Sequence, residues 1–271
     1  MLTSLQNSLI KEIRKLHQAK GREEKGLILL EGTKLLETAC QVNCFLETVC
    51  HTEQWKENNF LTWQKLVNLA QRVEEVSPNV LDYLATTVTP DGVIATVSRA
   101  KMVPEIPKQL QIGLVLEDIQ DPGNLGTIMR TSLATGVDCI FLSKHSVDID
   151  HPKVLRASVG SCFHLACQKT EDLPKLIRFY RAQGIQIIAT LMSTETRYWE
   201  VELTRPSLIL LGNEGSGLSE ELIQLADHKV KLPLHPGIES LNVAVTSAVV
   251  LYERERQKWE VGRVGGRASG R

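Results

Sequence analysis

The sequence predicts an α/β protein whose larger, C-terminal part is a parallel sheet flanked by helices, preceded by a small α/β unit. Three observations carry this expectation. Beyond residue 110, the near-continuous apolar runs "IGLVLEDI", "CIFLSK", "HLACQ", "IQIIATL", "SLILLGN" and "HKVKLPL" alternate with helical segments. Strands that are apolar throughout are covered on both faces, as in a doubly wound parallel sheet. Before residue 100, shorter strand and helix patterns alternate. Between the two parts, "KMVPEIPKQLQ" keeps no apolar period and contains Pro104 and Pro107, as a linker would. The expected divisions are 1–100, a linker at 101–110, the sheet domain at 111–260, and a disordered tail at 261–271, "VGRVGGRASGR".

The elements follow in order. "SLIKEIRKLHQAKGREEKG" predicts one basic helix, "LILLEG" a strand, "TKLLETACQ" a helix and "FLETVCHT" a strand. The helix "WQKLVNLAQ", the strand "RVEEVS", a Pro-headed helix at "PNVLDYLAT" and the strand "GVIATVSRA" complete the first unit. In the second, "GNLGTIMRTSLATG" and "LPKLIRFYRAQG" are helices between strands.

Composition limits the function. Of 271 residues, 42% are hydrophobic and 23% charged, an ordinary globular balance. A formal net charge of -1 excludes a strongly basic nucleic-acid binder but leaves room for a local basic patch. No apolar run is long enough to span a bilayer, and the opening "MLTSLQNSLIKEIRK" lacks the apolar core of a signal peptide, so a soluble cytoplasmic protein is expected. Cys40, Cys44, Cys50, Cys139, Cys162 and Cys167 form no CxxC pair and read as buried small hydrophobes, with no metal site expected.

Ligands of open parallel sheets bind beyond the carboxyl ends of the strands, and three segments stand there. In "EDIQDPGNLGTIMRTSLATG", Asp121, Pro122 and Gly123 make a tight turn and Asn124 is expected to cap the next helix. Arg130 lies six residues beyond Asn124, so the two do not stack on one helix face. Among apolar neighbours it serves either an anion or ribose contact or a structural salt bridge. In "LILLGNEGSGLSEEL", a strand runs into a loop of glycine, asparagine and serine whose backbone can approach a ligand closely, and Ser219 is expected to cap a helix. The absence of Lys-Ser/Thr, with Glu214, Glu220 and Glu221 nearby, argues against a triphosphate site. In "LPLHPGIESLNVAVTSAVVLYERER", Ser240 and Asn242 are expected in the first turn of a helix carrying Leu241, Ala244, Val245, Ala248, Val249 and Tyr252 at helical spacing.

Together these blocks resemble the SpoU (TrmH) family of the SPOUT class of RNA methyltransferases. Its first motif matches Asn124, Gly126 and Arg130, its second Gly212 to Gly217 with Glu214, and its third Ser240 to Val243. "RASVGSCFHL", from Arg156 to Leu165, also resembles the family. The opening residues and "LILLEGTKLL" are similar to an accessory RNA-binding domain that itself resembles a small ribosomal protein. His235 and Pro236 depart from the residues usual at that turn, as does Ala244 where serine is frequent.

The resemblance implies a deep trefoil knot that holds S-adenosylmethionine, and a homodimer with the knot near its interface. Carried over, the cofactor would be lined by Thr190, Leu191, Leu211, Gly212, Asn213, Leu232, Leu234, Ser240 and Leu241. The reaction implied is methylation of a ribose 2'-hydroxyl. Arg130 would stabilise the developing alkoxide, because a guanidinium is a poor proton acceptor. Asn124 would orient Arg130 or the substrate, Glu214 would position the first motif, and Ser240 and Asn242 would bind substrate or support the cofactor loop. His235 reads as a surface turn residue before a general base.

RNA would be met by local basicity. Residues 1–25 hold Lys11, Arg14, Lys15, Lys20, Arg22 and Lys25 against Glu12, Glu23 and Glu24. Arg130 and Arg156 join the expected RNA contacts. Ribosomal RNA is favoured over transfer RNA because of the accessory domain, and neither DNA nor a membrane is expected as partner. A non-catalytic RNA-binding relative acting in ribosome assembly is the alternative, with base methylation a weaker third.

Overall fold

In the computed structural model, which describes residues 1–102 and 104–268, the chain forms two compact units. One comprises Met1–Pro104 together with Asp148–His164, the other Glu105–Val147 and Leu165–Arg271. The strands are β1 (Leu27–Glu31), β2 (Leu46–His51), β3 (Ala70–Glu75), β4 (Val93–Ser98), β5 (Ile112–Leu116), β6 (Cys139–Ser143), β7 (Ala166–Thr170), β8 (Gln186–Thr190), β9 (Ser207–Leu211) and β10 (His228–Val230). The α-helices are α1 (Ser8–Lys15), α2 (Ala19–Lys25), α3 (Thr33–Gln41), α4 (Glu53–Asn58), α5 (Phe60–Leu69), α6 (Pro78–Leu84), α7 (Pro122–Ala134), α8 (Pro152–Ser158), α9 (Leu173–Ala182), α10 (Glu220–Leu225) and α11 (Val243–Ala268).

The first unit is a four-stranded mixed sheet in the order β1-β4-β2-β3, with β4 antiparallel to both neighbours and β2 parallel to β3. Ile10, Ile13, Leu16, Val80, Leu81 and Leu84 bury one side of it with Leu29 and Ile94. The single basic helix expected at the start is two helices. Gly21 explains the break: a Cβ there would lie 2.1 Å from the Lys15 carbonyl oxygen, so only glycine lets α2 fold back on the end of α1. The α4 helix was not expected; Thr52 starts it by accepting a hydrogen bond from the Trp55 amide at 3.2 Å.

Asp148–His164, assigned from sequence to the second domain, groups with the first unit for a polar reason. The Arg22 guanidinium, 1% exposed, donates to the Leu16 and His17 carbonyls and to Asp148 at 2.5 Å. Arg99 pairs with Asp148 and Asp150, and Arg156 with the buried carboxylate of Glu31 at 2.8 Å. The boundary at Pro104 falls within the expected linker.

The second unit is the expected parallel sheet: six strands in the order β10-β8-β9-β5-β6-β7, every pairing parallel. All six apolar runs read as strands are strands. Val115, Phe141, Ile187, Leu208 and Leu210 from the sheet pack with Leu173 and Ile177 of α9 and Leu222 of α10. The buried stripe of α11 is Val243, Ala244, Ser247, Val250 and Leu251, so Val245 and Tyr252 of the expected apolar face point to solvent. The tail expected to be disordered is helical through Ala268, sustained by the i,i+4 pair of Arg256 with Glu260 at 2.6 Å and by Arg263 over the Trp259 ring at 4.5 Å; Ser269, Gly270 and Arg271 lie outside the described residues. Among the described residues no helix is long and apolar enough to cross a membrane.

Candidate functional site

The carboxyl ends of β5, β6 and β9 converge on one joint in the second unit, Asp118. Two residues beyond β5, Asp118 takes φ +54°, a left-handed conformation that asparagine and aspartate tolerate best. Its amide donates to Ser143 Oγ at 2.8 Å, and that hydroxyl donates to Asp118 Oδ1 at 2.6 Å. Its carbonyl accepts from Asn213 Nδ2 at 2.7 Å and Gln120 Nε2 at 3.0 Å. The strand bearing the first motif is thereby fastened to the loop bearing the second. Sequence reasoning passed over Asp118 and Ser143. Only an aspartate just past a strand end hinted at the positive φ, and that signal is common.

The loop after β9 closes on itself. Asn213 and Gly217 exchange both backbone hydrogen bonds at 3.0 Å, while Asn213 Oδ1 accepts from the Gly215 and Ser216 amides at 2.8 and 3.0 Å. Gly212 sits against this closure: a Cβ there would be 2.1 Å from the Gly217 carbonyl carbon. The turn thrusts Glu214 outward, where Oε1 accepts from Asn124 Nδ2 at 2.9 Å. Asn124 Oδ1 in turn accepts from Asn242 Nδ2 at 2.8 Å. The three motifs, far apart in sequence, thus meet through one chain of side-chain hydrogen bonds, Asn242 to Asn124 to Glu214.

Two capping expectations are corrected here. Asp121, not Asn124, caps α7, its Oδ1 accepting from the Asn124 amide at 2.8 Å. With the cap supplied, the Asn124 side chain is released for Glu214 and Asn242. Ser219 occupies the N-cap position of α10 but accepts no capping bond; its amide donates to Glu117 Oε2 at 2.7 Å. Asn242 precedes α11, where Oδ1 accepts from the Ala244 amide at 2.9 Å.

Arg130 is exposed on α7 and its side chain has no hydrogen bond or ion pair to any described residue, so a salt bridge to one of them does not account for it. Ser240 and Leu241 are exposed in the loop before α11 and outside the bonded chain. The other residues expected to line the cofactor follow the ends of β8, β9 and β10: Thr190 Oγ1 donates to the Leu210 carbonyl at 2.9 Å, and the Leu191 amide to the Val230 carbonyl at 2.8 Å. Leu191, Leu232 and Leu234 are half-buried there and Leu211 is buried. Apolar side chains beyond the strand ends, with Gly212 carrying none, suit a flat heterocycle held by backbone groups. His235 is exposed, its ring bonded to the Pro236 carbonyl at 3.0 Å, as a surface turn residue would be. No group of three or more His, Cys, Asp or Glu that could hold a metal occurs among the described residues.

The basic residues expected to meet RNA divide sharply. Arg22 is buried and consumed by Asp148 and two carbonyls, so it presents nothing to a phosphate and leaves the RNA-facing set. Arg14 donates to the Tyr83 carbonyl at 2.6 Å, closing the C-terminal end of α6. Lys15 pairs with Glu12 at 2.6 Å, and Lys25 pairs with the same carboxylate; these hydrogen bonds hold the Glu12 carboxyl down at about 2. Lys11 and Lys20 stay exposed. Arg156 is tied to Glu31 through Nη1.

Comparison with known proteins places the chain in a family. The model of the SpoU rRNA Methylase family matches residues 111–252, and that of the MRM3-like substrate binding domain matches residues 7–95. A tRNA/rRNA methyltransferase of Synechocystis, itself uncharacterised, is 44% identical over 97% of this chain and 96% of its own length. RlmP of Bacillus subtilis, a 23S rRNA (guanosine(2553)-2'-O)-methyltransferase, is 28% identical over 93% of this chain and 97% of its own. The crystal structure of an AdoMet-bound rRNA methyltransferase from Sinorhizobium meliloti superposes with a TM-score of 0.83 at 29% identity, covering 94% of this chain and 97% of that one. With the motifs joined in space and more than half of the chain matched, this protein belongs to the SpoU rRNA methylase family.

Proposed function

We propose that this chain transfers a methyl group from S-adenosylmethionine to a ribose 2'-hydroxyl of RNA, with ribosomal RNA as the favoured substrate. The observation that carries the reading is the hydrogen-bonded chain Asn242–Asn124–Glu214, with Arg130 exposed on the same helix as Asn124 and its side chain bonded to no described residue. A module freed from catalysis has no use for that arrangement, which disfavours the non-catalytic alternative. The cofactor would lie against Thr190, Leu191, Leu211, Gly212, Asn213, Leu232, Leu234, Ser240 and Leu241, and supplies an activated methyl on a sulfonium. The protein's work is then positioning the hydroxyl in line and steadying the charge it develops. Arg130 supplies a fixed cation for the alkoxide, Asn124 is held in place by Glu214 and Asn242, and the proton leaves to water or an RNA phosphate.

The name of the Synechocystis relative includes both RNA classes, which keeps transfer RNA as the second reading. A homodimer through the second unit is supported by the solvent-facing apolar residues Leu133 of α7 and Val245 and Tyr252 of α11, and light scattering tests it. The trefoil knot in the segments after β9 and β10, and residence in the cytoplasm, complete the proposal. Its test is incubation of the protein with labelled S-adenosylmethionine and unmodified ribosomal or transfer RNA, followed by mapping of 2'-O-methyl positions. Methyl label on ribosomal RNA that vanishes with Arg130→Ala is the expected result; label on a base, or none on either RNA, overturns it.

A further inference from the structure

The block "RASVGS", Arg156 to Ser161, has no part in the site of methyl transfer, and the first unit gives it one. There Arg156 and Val159 close a cavity of about 280 Å³ whose other walls include Glu31, Lys34, Thr89 and Asp91. We infer that this cavity seats one unpaired nucleotide of the substrate RNA, a reading that rests on the proposed function and locates where the first unit meets that RNA.

Four features point to a nucleotide. First, the site is built. Glu31 lies buried at its base and accepts from the Thr86 and Thr87 amides at 2.9 and 3.1 Å, from both threonine hydroxyls at 2.5 Å, and from Arg156. Burial pushes its carboxyl up, but the threonine hydrogen bonds and the Arg156 charge prevail and hold it below the usual range. The carboxylate stays charged, fixing the 86–87 loop and the guanidinium together. Second, Arg156 is held by Nη1 alone, through Glu31 and Thr86; Nε and Nη2 bond to no described residue. A planar guanidinium clamped at one corner offers its other edge to a phosphate or base and its face to stacking.

Third, Lys34 lines the cavity with its side chain 80% exposed and, among the described residues, tethered only to Glu37, so it can reach a phosphate outside while the base enters. Fourth, Val159 is a β-branched residue at φ +50° and 41% exposed, followed by Gly160 at φ +86° packed against Thr38. Strained backbone that presents an apolar side chain to solvent is commoner at ligand sites than in plain turns. The volume lies at the small end of ligand pockets, too narrow for a duplex and suited to a base turned out of a loop, the form in which RNA sequence is read. Glu31 and Asp91 in the walls disfavour a bare anion.

The test is equilibrium binding of an in vitro 23S ribosomal RNA transcript by the full chain, compared with Lys34→Ala and Thr89→Trp. Neither residue touches the hydrogen-bonded base of the cavity; the first removes the cation, the second fills the mouth. Each variant is expected to weaken RNA binding about tenfold or more with S-adenosylmethionine affinity unchanged, and only Lys34→Ala should flatten the salt dependence by about one phosphate contact. RNA affinities within twofold of wild type for both variants, or no binding of the transcript by wild type, overturn the inference. Wild-type protein that methylates while both variants bind normally removes this site and keeps the methyltransferase; wild-type protein that binds through the cavity without methylating does the reverse.

Discussion

Asn242 uses the two ends of one amide for two tasks: Oδ1 caps α11 by accepting from the Ala244 amide at 2.9 Å, and Nδ2 donates to Asn124 Oδ1 at 2.8 Å. Aspartate keeps the first task and loses the second, because it sets a carboxylate oxygen against the Asn124 carbonyl oxygen. Asn242→Asp should therefore melt close to the wild-type temperature while kcat falls about 100-fold, as for a misplaced reacting group. Equal loss of melting temperature and activity would show the residue to be structural only.

Arg130 separates binding from chemistry. It is exposed and bonded to no described residue, so Arg130→Ala should leave the melting temperature and S-adenosylmethionine affinity unchanged. Methyl transfer should drop by about 10²–10³, the usual cost of removing one charge partner of the transition state. Arg130→Lys should recover little, since a point charge cannot reproduce the planar fork. Single-turnover methylation assays measure both.

Gly212 and Gly215 lie in one loop yet should respond oppositely to alanine. At Gly212 the new Cβ meets backbone at 2.1 Å, whereas at Gly215 its nearest neighbour is Asn213 Oδ1 at 3.5 Å. Gly212→Ala should cost about 1–3 kcal/mol, as overpacking does, and abolish cofactor binding by opening the Asn213–Gly217 closure. Gly215→Ala should bind as wild type. Calorimetric titration with S-adenosylmethionine and thermal unfolding decide. A bulky residue at Gly212 would test the turn before it tested the pocket.

Acid should loosen the first unit. Burial raises the Glu31 and Asp148 carboxyls, but the Thr86 and Thr87 hydrogen bonds to one and the Arg22 guanidinium against the other bring both below the usual range. A carboxylate lowered on folding contributes stability that is complete above its unfolded value, about 4, and lost as the pH falls through the lower folded value. Asp150, raised by burial, works in the opposite sense, its contribution fading as the pH climbs through its folded value. The denaturation midpoint of wild type should therefore decline below about pH 5, and Glu31→Gln should show a shallower decline from a lower start. An unchanged slope in that variant would contradict this assignment.

The cysteines should be inert in the native protein. Burial pushes the thiols of Cys50 and Cys139 up to about 12 and that of Cys162 to about 11, leaving almost no thiolate at neutral pH. Iodoacetamide at pH 7.5 should leave these three unmodified over hours and label them at once in guanidinium, as read by mass spectrometry.

What the sequence discloses and what it hides follow physical lines. The six strands of the second sheet are legible because apolar runs such as Leu208–Leu211 are dictated by burial on both faces. Caps are less so: Asp121 and Asn124 are both good capping residues three apart, and only the backbone path decides that Asp121 takes the role and frees Asn124. The break between α1 and α2 stays hidden in the sequence because a helix tolerates a glycine, and the Lys15 carbonyl that excludes a side chain at Gly21 comes close to it only in the folded chain. Arg22 misled for a related reason, since charge in a basic stretch reads as surface while its partner, Asp148, is remote in sequence. The motif residues were found by resemblance; their hydrogen bonds depend on a φ of +54° at Asp118 that no local pattern requires.

The grouping of Asp148–His164 with the first unit affects how the chain can be made and cut. A ribosome releases Arg22, Glu31 and Arg99 long before Asp148, Asp150 and Arg156 emerge, so the nascent N-terminal module must wait for its counter-charges while β5, α7 and β6 are still being synthesised. A fragment truncated at Pro104 would leave those charges without their opposite charges, and a usable boundary must carry residues 148–164 with it, by circular permutation or as a separate peptide supplied in trans.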